Sequence, residues 1–200
     1  LSSYYDCQHG LSFYVETSNH KILVDLGQND MFYENAKKLD VSVEDVDTVI
    51  ITHGHYDHGG GLGAFFDHND HAKVYIHKLA FGDYYSTAGK RMHYIGLDQH
   101  LRHHPQCILV ENDFKIDDEL MLFTNVLERN YSAESNRALK LLRDGKYEDD
   151  MFLHEQNLII KEGGHNVLFS GCAHCGIINI LARAEKILGC EVDAVFAGFH

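Results

Sequence analysis

The sequence lacks several features that mark particular classes of protein. Its 200 residues include one proline and no tryptophan, and no Pro- or Ser-rich stretch indicates a linker between domains. No apolar run approaches the roughly 20 residues that a membrane-spanning helix requires. The chain opens without the basic and apolar stretches that are typical of a signal peptide. These absences predict a single domain, residues 1–200, located in the cytoplasm.

Basic residues are scarce. The chain has 17 Lys and Arg against 30 Asp and Glu, which gives a formal net charge of −13. Binding to nucleic acid or to an anionic membrane surface depends on clustered Lys and Arg. We therefore expect neither of these as a partner and expect a small-molecule substrate instead. Homo-oligomer formation stays open.

The cysteine content argues against disulfide bonds, whereas the histidine content points to a metal site. The five cysteines are odd in number and widely scattered, which makes a poor disulfide framework and suits a reducing compartment. Histidine occurs 16 times, which is unusually often. Because imidazole is the commonest metal ligand in proteins, a cluster of histidines would indicate a metal site. Most of the scattered histidines are expected to be ordinary surface residues.

Two segments repeat a strand–helix–strand pattern. The first runs from Ile22 to His55 and the second from Val167 to His200. In both, the second strand opens with Val-Asp and ends in a loop that carries histidine. We interpret this as an internal duplication, although any two strand–helix–strand units share some likeness. The segment between them is less regular, and we predict a cap inserted at about residues 81–150, with a helix over Ser132–Arg143.

A histidine-rich cluster follows the second strand of the first unit. His53, His55, Asp57 and His58 form an H-x-H-x-D-H pattern directly after the buried strand predicted over Val46–Thr52. Ligands in open α/β folds bind at this edge of a sheet. Two histidines can address one metal ion and the Asp-His pair a second, as in sites with two metals about 3.5–4 Å apart. A polar surface loop with chance histidines is the alternative.

These residues resemble the signature of the metallo-β-lactamase superfamily, and further motifs resemble one branch of it. The motifs are ILVDLGQ, THGHYDHGGGL, GCAHCGIIN and the terminal GFH, which together extend over most of the chain. The branch is that of the 7,8-dihydropterin-6-methyl-4-(β-D-ribofuranosyl)-aminobenzene-5'-phosphate synthase-like metal-dependent hydrolases. The resemblance implies an α/β fold, a four-layer αββα sandwich built from duplicated halves.

The resemblance also implies which residues bind two divalent metal ions. One ion would be held by His53, His55 and a third ligand, for which His174 in GCAHCG is the first choice. The alternatives for this third ligand are Cys172, His154 and Glu155.

The second ion would be held by Asp57, His58 and His200, the histidine of the terminal GFH. Asp25, which ends the strand of ILVDLG, resembles the buried carboxylate that supports the ligands in this superfamily. We expect it to act through those ligands rather than to bind a metal itself.

The sequence departs from the superfamily pattern at Cys172. The usual hydrolases carry an Asp after the glycine that corresponds to Gly171, and that Asp bridges the two metals. A thiolate at this position favours zinc over harder metals, with iron and manganese as the alternatives. Cys172 and Cys175 also form a C-x-x-C pair, for which a redox role is a further alternative.

These expectations define a metal-dependent hydrolase or transferase. The metal ions would activate water, and Asp57 would serve both as ligand and as proton acceptor. The branch resemblance implies an anionic, phosphate-bearing substrate, with pterin-related compounds as candidates. Two other functions stay open: a metal-binding or ligand-sensing module without turnover, and a di-iron redox protein. The redox relatives carry Glu where this chain has His55, which disfavours the latter.

Overall fold

The computed structural model describes residues 4–89 and 91–199, and within them the chain forms fourteen strands and four α-helices. The strands are β1 (Phe13–Glu16), β2 (Lys21–Val24), β3 (Thr48–Ile51), β4 (Lys73–His77), β5 (Asp83–Ser86), β6 (His93–Tyr94), β7 (Cys107–Val110), β8 (Phe114–Lys115), β9 (Leu120–Phe123), β10 (Leu139–Arg143), β11 (Lys146–Asp149), β12 (Asn157–Glu162), β13 (His165–Phe169) and β14 (Ala194–Phe196). The helices are α1 (Met31–Lys38), α2 (Tyr56–Gly59), α3 (Leu62–His68) and α4 (Ile177–Leu188). Short 3-10 turns occur at Val43–Asp45, Gln99–His103 and Glu134–Ala138. Within the described ranges, no helix has the length and apolarity needed to cross a membrane.

The strands are arranged in three sheets. The first has the order β1-β2-β3-β4-β7, the second β14-β13-β12-β9-β8, and a smaller third sheet β11-β10-β5-β6. β2 and β3 are parallel neighbours joined through α1, and β13 and β14 are parallel neighbours joined through α4. Both predicted strand–helix–strand units therefore form, each at one side of the molecule.

The two five-stranded sheets pack face to face between layers of helix. Ile22 and Ile50 of the first sheet meet Leu158 of the second in one buried cluster. Because side chains alternate along a strand, Val49 turns to the opposite face, where α1 and α3 pack. Ile159 likewise turns outward, towards α4. The order of layers is α, β, β, α, which confirms the fold predicted from the sequence.

The helix predicted over Ser132–Arg143 is wrong. The segment contains a short 3-10 turn, and Leu139–Arg143 forms β10, which pairs with β5 and β11. Asp144 and Gly145 connect β10 to β11 with φ angles of 50° and 75°. A two-residue Asp-Gly connection with positive φ at both positions is a strong hairpin feature. That pair, rather than the glycine as a helix stop, decides the structure of this segment.

The predicted cap at about 81–150 remains a prediction of domain organisation. Within that range the strands of the third sheet alternate along the chain with β7, β8 and β9, which belong to the two large sheets. The third sheet lies beside the edge that carries the histidine cluster, since Tyr84 of β5 contacts the rings of His55 and His154.

Candidate metal centre

The carboxyl ends of three strands meet at one edge of the sandwich. Asp25 follows β2, His53 follows β3, and Cys172 and His174 follow β13. All four side chains are buried. Burial of so many polar groups is costly unless they are paired or bind a ligand, so this edge has the chemistry of a binding site.

Asp25 organises the first of these groups. Its carboxylate accepts hydrogen bonds from the backbone N–H of Thr52 and from the Thr52 hydroxyl, both at 2.8 Å. The same carboxylate lies 2.6 Å from Nδ1 of His58. These contacts occupy both oxygens, which supports the predicted role of Asp25 in holding other ligands.

His58 is oriented by this contact. Because Nδ1–H donates to Asp25, Nε2 faces the Cys172 thiol at 3.1 Å. Burial opposes the charged ring, but the Asp25 carboxylate and the Cys172 sulfur raise the pKa of His58 well above its usual value. Nε2 and the sulfur converge from the two halves of the fold, as two ligands of one metal would.

His53 has a nitrogen available for a metal. Its Nδ1 lies 3.0 Å from the Thr52 hydroxyl, whereas Nε2 is buried and has no hydrogen-bond partner among the described residues. Burial and the neighbouring imidazoles of His58 and His55 lower the pKa of His53 well below its usual value. A buried neutral imidazole with an unused nitrogen fits the requirements of a metal ligand.

The imidazoles surround one small volume. The ring centroid of His53 lies 4.1 Å from that of His58, 4.6 Å from that of His55 and 5.0 Å from that of His174. Three groups have ligand atoms within 4.8 Å of one another: His53 with His55 and His174, His53 with His58 and Cys172, and His55 with Asp150 and His154. The residues therefore fit a metal centre, and they include the first choice for the third ligand, His174.

Asp57 lies at the mouth of this cluster. Its Oδ2 is 3.7 Å from Nε2 of His58 and 3.3 Å from Nε2 of His9. A cavity of about 350 Å³ opens beside it. The cavity is lined by His9, His55, Tyr56, Asp57, Ser86, Ala88, His93, Ile95, Ser135, Ala138, Leu139, Cys172 and His174. A small molecule in this cavity would contact the carboxylate and the cluster together.

Glu155 supports the loop that carries His174. Its two carboxylate oxygens accept hydrogen bonds from the backbone N–H groups of His174, at 2.7 Å, and of Cys175, at 2.9 Å. Burial raises the pKa of Glu155 despite these donors. With both oxygens occupied, the geometry favours a supporting role for Glu155 over the ligand role that the sequence left open.

The two cysteines of the C-x-x-C pair face different groups. Cys172 contacts His58, whereas the thiol of Cys175 lies 3.7 Å from the carbonyl oxygen of Phe152. Burial, together with Glu155, raises the pKa of Cys175 far above its usual value. Because thiol reactivity depends on the thiolate, this environment disfavours a redox pair.

The structure thus brings together most of the predicted site residues and adds others. Asp25, His53, His55, Asp57, His58, Cys172 and His174 converge, with Glu155 and His154 beside them. His200 lies outside the described residues, so its predicted ligand role stays a prediction.

Three residues of the site were missed from the sequence. Thr52 connects Asp25 to His53, Asn136 contacts Nδ1 of His174 at 2.9 Å, and Asp150 lies behind His55. Burial opposes ionisation of Asp150, but the imidazoles of His154 and His55 hold its pKa below the usual range. Thr52 was recognisable by its place between the strand and the first histidine, whereas the other two lie in segments without a pattern.

The fold and the buried cluster define an α/β sandwich with a metal-binding edge, and comparison with known proteins identifies its family. The sequence model of the metallo-β-lactamase superfamily matches residues 5–130 of the chain. The chain belongs to this superfamily.

Individual relatives agree with this assignment. The uncharacterized protein MJ0448 of Methanocaldococcus jannaschii is 34% identical over 199 residues, which cover 96% of this chain and 73% of that protein. The 7,8-dihydropterin-6-methyl-4-(beta-D-ribofuranosyl)-aminobenzene-5'-phosphate synthase of the same organism is 26% identical over 208 residues, covering 96% and 71%. Among solved structures, a metal-dependent hydrolase of the β-lactamase superfamily has a TM-score of 0.81 at 30% identity and covers 100% of this chain and 72% of that one.

Proposed function

We propose that this protein is a metal-dependent hydrolase with a binuclear site, acting on a phosphate-bearing small molecule. One observation carries the proposal: Nε2 of His53 is buried without a hydrogen-bond partner among the described residues, in the middle of three further imidazoles and a thiol. The similarity to the pterin-related phosphate synthase supports a pterin-related phosphate compound as the first substrate to test.

The ligand atoms divide into two groups. His53, His55 and His174 would hold one divalent ion, and His58, Asp57 and Cys172 the other, with His200 as the further predicted ligand. The thiol favours zinc over iron or manganese. Divalent ions bound in this way supply activation of water and polarisation of a phosphoryl oxygen.

The protein's own groups supply orientation and proton transfer. Asp25 fixes His58 and, through Thr52, the ring of His53. Asp57 is the carboxylate that faces the cavity, and with His9 at 3.3 Å it can accept a proton from a water molecule there. His9 and His93 can donate hydrogen bonds to an anionic substrate from the cavity wall.

A ligand-sensing module that binds metal without turnover is the second candidate. It is favoured by Cys172, which stands where the superfamily's hydrolases usually carry a bridging Asp. Tight binding of phosphate compounds without any turnover of phosphoesters, esters or thioesters would select it over the hydrolase.

The first test combines metal analysis with an activity screen. We expect about two equivalents of divalent metal in the protein purified without added metal, and hydrolysis of at least one phosphoester. Asp57→Ala should lower kcat/KM about 10²- to 10⁴-fold with the fold intact, as judged by circular dichroism. Asp67→Ala, which removes an exposed carboxylate from α3, is the control and should leave activity unchanged. Retention of most activity in Asp57→Ala would contradict the mechanism.

A further inference from the structure

A buried carboxylate and imidazole lie behind His55, on the side away from the cavity. The side chains of Asp150 and His154 are 3% and 1% exposed, and Nε2 of His154 lies 3.0 Å from Oδ2 of Asp150. The other carboxylate oxygen, Oδ1, accepts a hydrogen bond of 2.7 Å from the backbone N–H of Phe152. Asp150 is therefore fixed in position by two contacts.

The hydrogen bonds determine which nitrogen of His154 carries the proton. The backbone N–H of Gly54 donates to Nδ1 of His154 at 2.9 Å, so Nδ1 is an acceptor. The proton of the neutral ring then lies on Nε2, which donates to Asp150. Both nitrogens are engaged, so His154 has no lone pair left for a metal ion.

Gly54 separates His53 from His55 in the sequence. By accepting the Gly54 N–H, His154 fixes the backbone between these two candidate ligands. The ring of His154 also packs against Tyr84, with 4.1 Å between the ring centroids. The position of the H-x-H segment thus depends on a side chain a hundred residues along the chain.

Asp150 also faces His55. Its Oδ2 lies 3.8 Å from Nε2 of His55, and that nitrogen is buried without a hydrogen-bond partner among the described residues. The distance exceeds that of a hydrogen bond, but a small rotation of the ring would close it. Metal-bound imidazoles usually donate their second N–H to a carboxylate or carbonyl group, which fixes the tautomer.

We propose that Asp150, held by His154 and Phe152, accepts the Nε2–H of His55 and so directs Nδ1 of His55 to the metal. Asp150 and His154 are positioning residues in this scheme and bind no metal. The inference rests on the proposed metal site, since it assigns a role to His55 as a ligand. The arrangement repeats, for His55, what Asp25 does for His58.

The test measures metal affinity rather than turnover. Asp150→Asn retains an oxygen for the Phe152 amide but removes the carboxylate, and we expect zinc affinity in chelator competition to fall about 10- to 100-fold. Asp149→Asn, one residue earlier and paired on the surface with Lys140, is the control and should bind zinc like the wild type. With cobalt(II) bound, the ligand-field spectrum of Asp150→Asn should differ from the spectra of the wild type and of Asp149→Asn.

The outcomes separate this inference from the proposed function. His53→Ala is the reference: if it binds metal as the wild type does, the proposed metal site is wrong. If His53→Ala loses metal while Asp150→Asn loses only thermal stability, the metal site stands and the positioning role is overturned. The positioning role would also be overturned if the wild type bound a third equivalent of zinc that Asp150→Asn did not bind. That result would favour a separate metal site at His55, Asp150 and His154.

Nitrogen-15 NMR of the histidine side chains gives a direct check. In the zinc-loaded protein, we expect His55 to be bound through Nδ1 and protonated at Nε2, and His154 to be protonated at Nε2. Zinc bound through Nε2 of His55 would contradict the proposal whatever the affinities are.

Discussion

The two strand–helix–strand units of this fold differ in how deeply they are buried. β3, the second strand of the first unit, lies in the middle of its sheet, and all four of its residues are buried. β14, its counterpart in the second unit, is an edge strand whose residues are half-buried or exposed. The same connectivity therefore gives a core strand in one half and an outer strand in the other.

The units also differ in the origin of the groups that support their candidate ligands. In the first unit, Asp25 and Thr52 belong to the unit itself and hold His53 and His58. In the second, His174 is supported by Asn136 and Glu155, which come from the segment between the units. The supports of His53 and His58 are thus local in sequence, whereas those of His174, like Asp150 and His154 beside the H-x-H segment, reach the site by tertiary contacts.

The largest effect should follow from a change to Asp25, because one carboxylate serves two ligands. Asp25→Asn should weaken zinc binding about 100-fold, which is the upper end of the range for loss of metal affinity when a residue that supports a ligand is changed. It should also lower the free energy of unfolding by about 3–5 kcal/mol, because it breaks a buried ion pair with His58. Chelator competition and urea unfolding of the metal-free protein measure the two effects separately.

The matching change for His174, the candidate ligand of the second unit, is Asn136→Ala. It removes a neutral, half-buried amide that bonds both Nδ1 and the backbone carbonyl oxygen of His174. The bond to the imidazole is worth about 1 kcal/mol, so zinc affinity should fall less than about tenfold. Equal losses of zinc affinity in Asp25→Asn and Asn136→Ala would show that the ligands of the two units are supported equally well. The contrast between the units would then be wrong.

A second prediction concerns the contact between the halves at Gly171. A Cβ atom there would lie 2.1 Å from Oγ1 of Thr52 and 3.1 Å from Nδ1 of His53. Gly171→Ala should therefore displace Thr52 and lower the free energy of unfolding by about 1–3 kcal/mol. Urea unfolding of the metal-free protein measures this.

Gly63→Ala is the control for that substitution. Gly63 lies in α3, and a Cβ there would meet no atom within 4 Å. Alanine in a helix is favoured over glycine, so this variant should gain up to about 1 kcal/mol. If Gly171→Ala behaved like Gly63→Ala, the close approach of the two halves at Thr52 would be wrong.

The same contrast explains how much the sequence could predict. The first unit was predictable because its strands are continuous apolar runs and its site residues lie within one short motif. The parallel units follow from patterns of this kind. The αββα order of layers was implied by the resemblance to the metallo-β-lactamase superfamily, and the structure has that order. The supports that come from the segment between the units were not predictable. Asn136, beside His174, and Asp150, beside His55, lie in segments without periodicity and reach the site only through tertiary packing.

The misassigned segment illustrates a different limit. Leu139–Arg143 has a composition compatible with a helix, and it forms a strand because β5 and β11 provide partners on both sides. The Asp144-Gly145 pair was the available sequence feature, and it indicated a hairpin. Local composition alone therefore could not decide this element.

The smallest predicted effect sharpens the comparison at the opposite end of the sandwich, where His20 connects the halves. Its Nδ1 lies 2.8 Å from Asp47 of the first unit, and its Nε2 lies 2.7 Å from Asp117, between β8 and β9 of the second sheet. Burial opposes the charge, but hydrogen bonds to both carboxylates raise the pKa of His20. The backbone donors and His20 in turn lower the pKa values of Asp47 and Asp117 against the effect of burial.

The signs of these shifts fix the pH dependence. The contribution of His20 to the free energy of unfolding is fully present below its pKa in the unfolded chain, about 6.5. It is lost as the pH rises through the higher pKa of the native state. The carboxylates contribute above about pH 3.9 and lose their contribution on acidification. The contacts of His20 with Asp47 and Asp117 should therefore stabilise the protein most between these limits. The gain is no more than about 1 kcal/mol, because the groups are partly exposed.

His20→Gln should flatten the decline in stability above about pH 6.5 in urea unfolding, whereas His71→Gln, at an exposed histidine nearby, should leave it unchanged. An undiminished decline in His20→Gln would mean that other groups produce the pH dependence and that His20 does not couple the two halves.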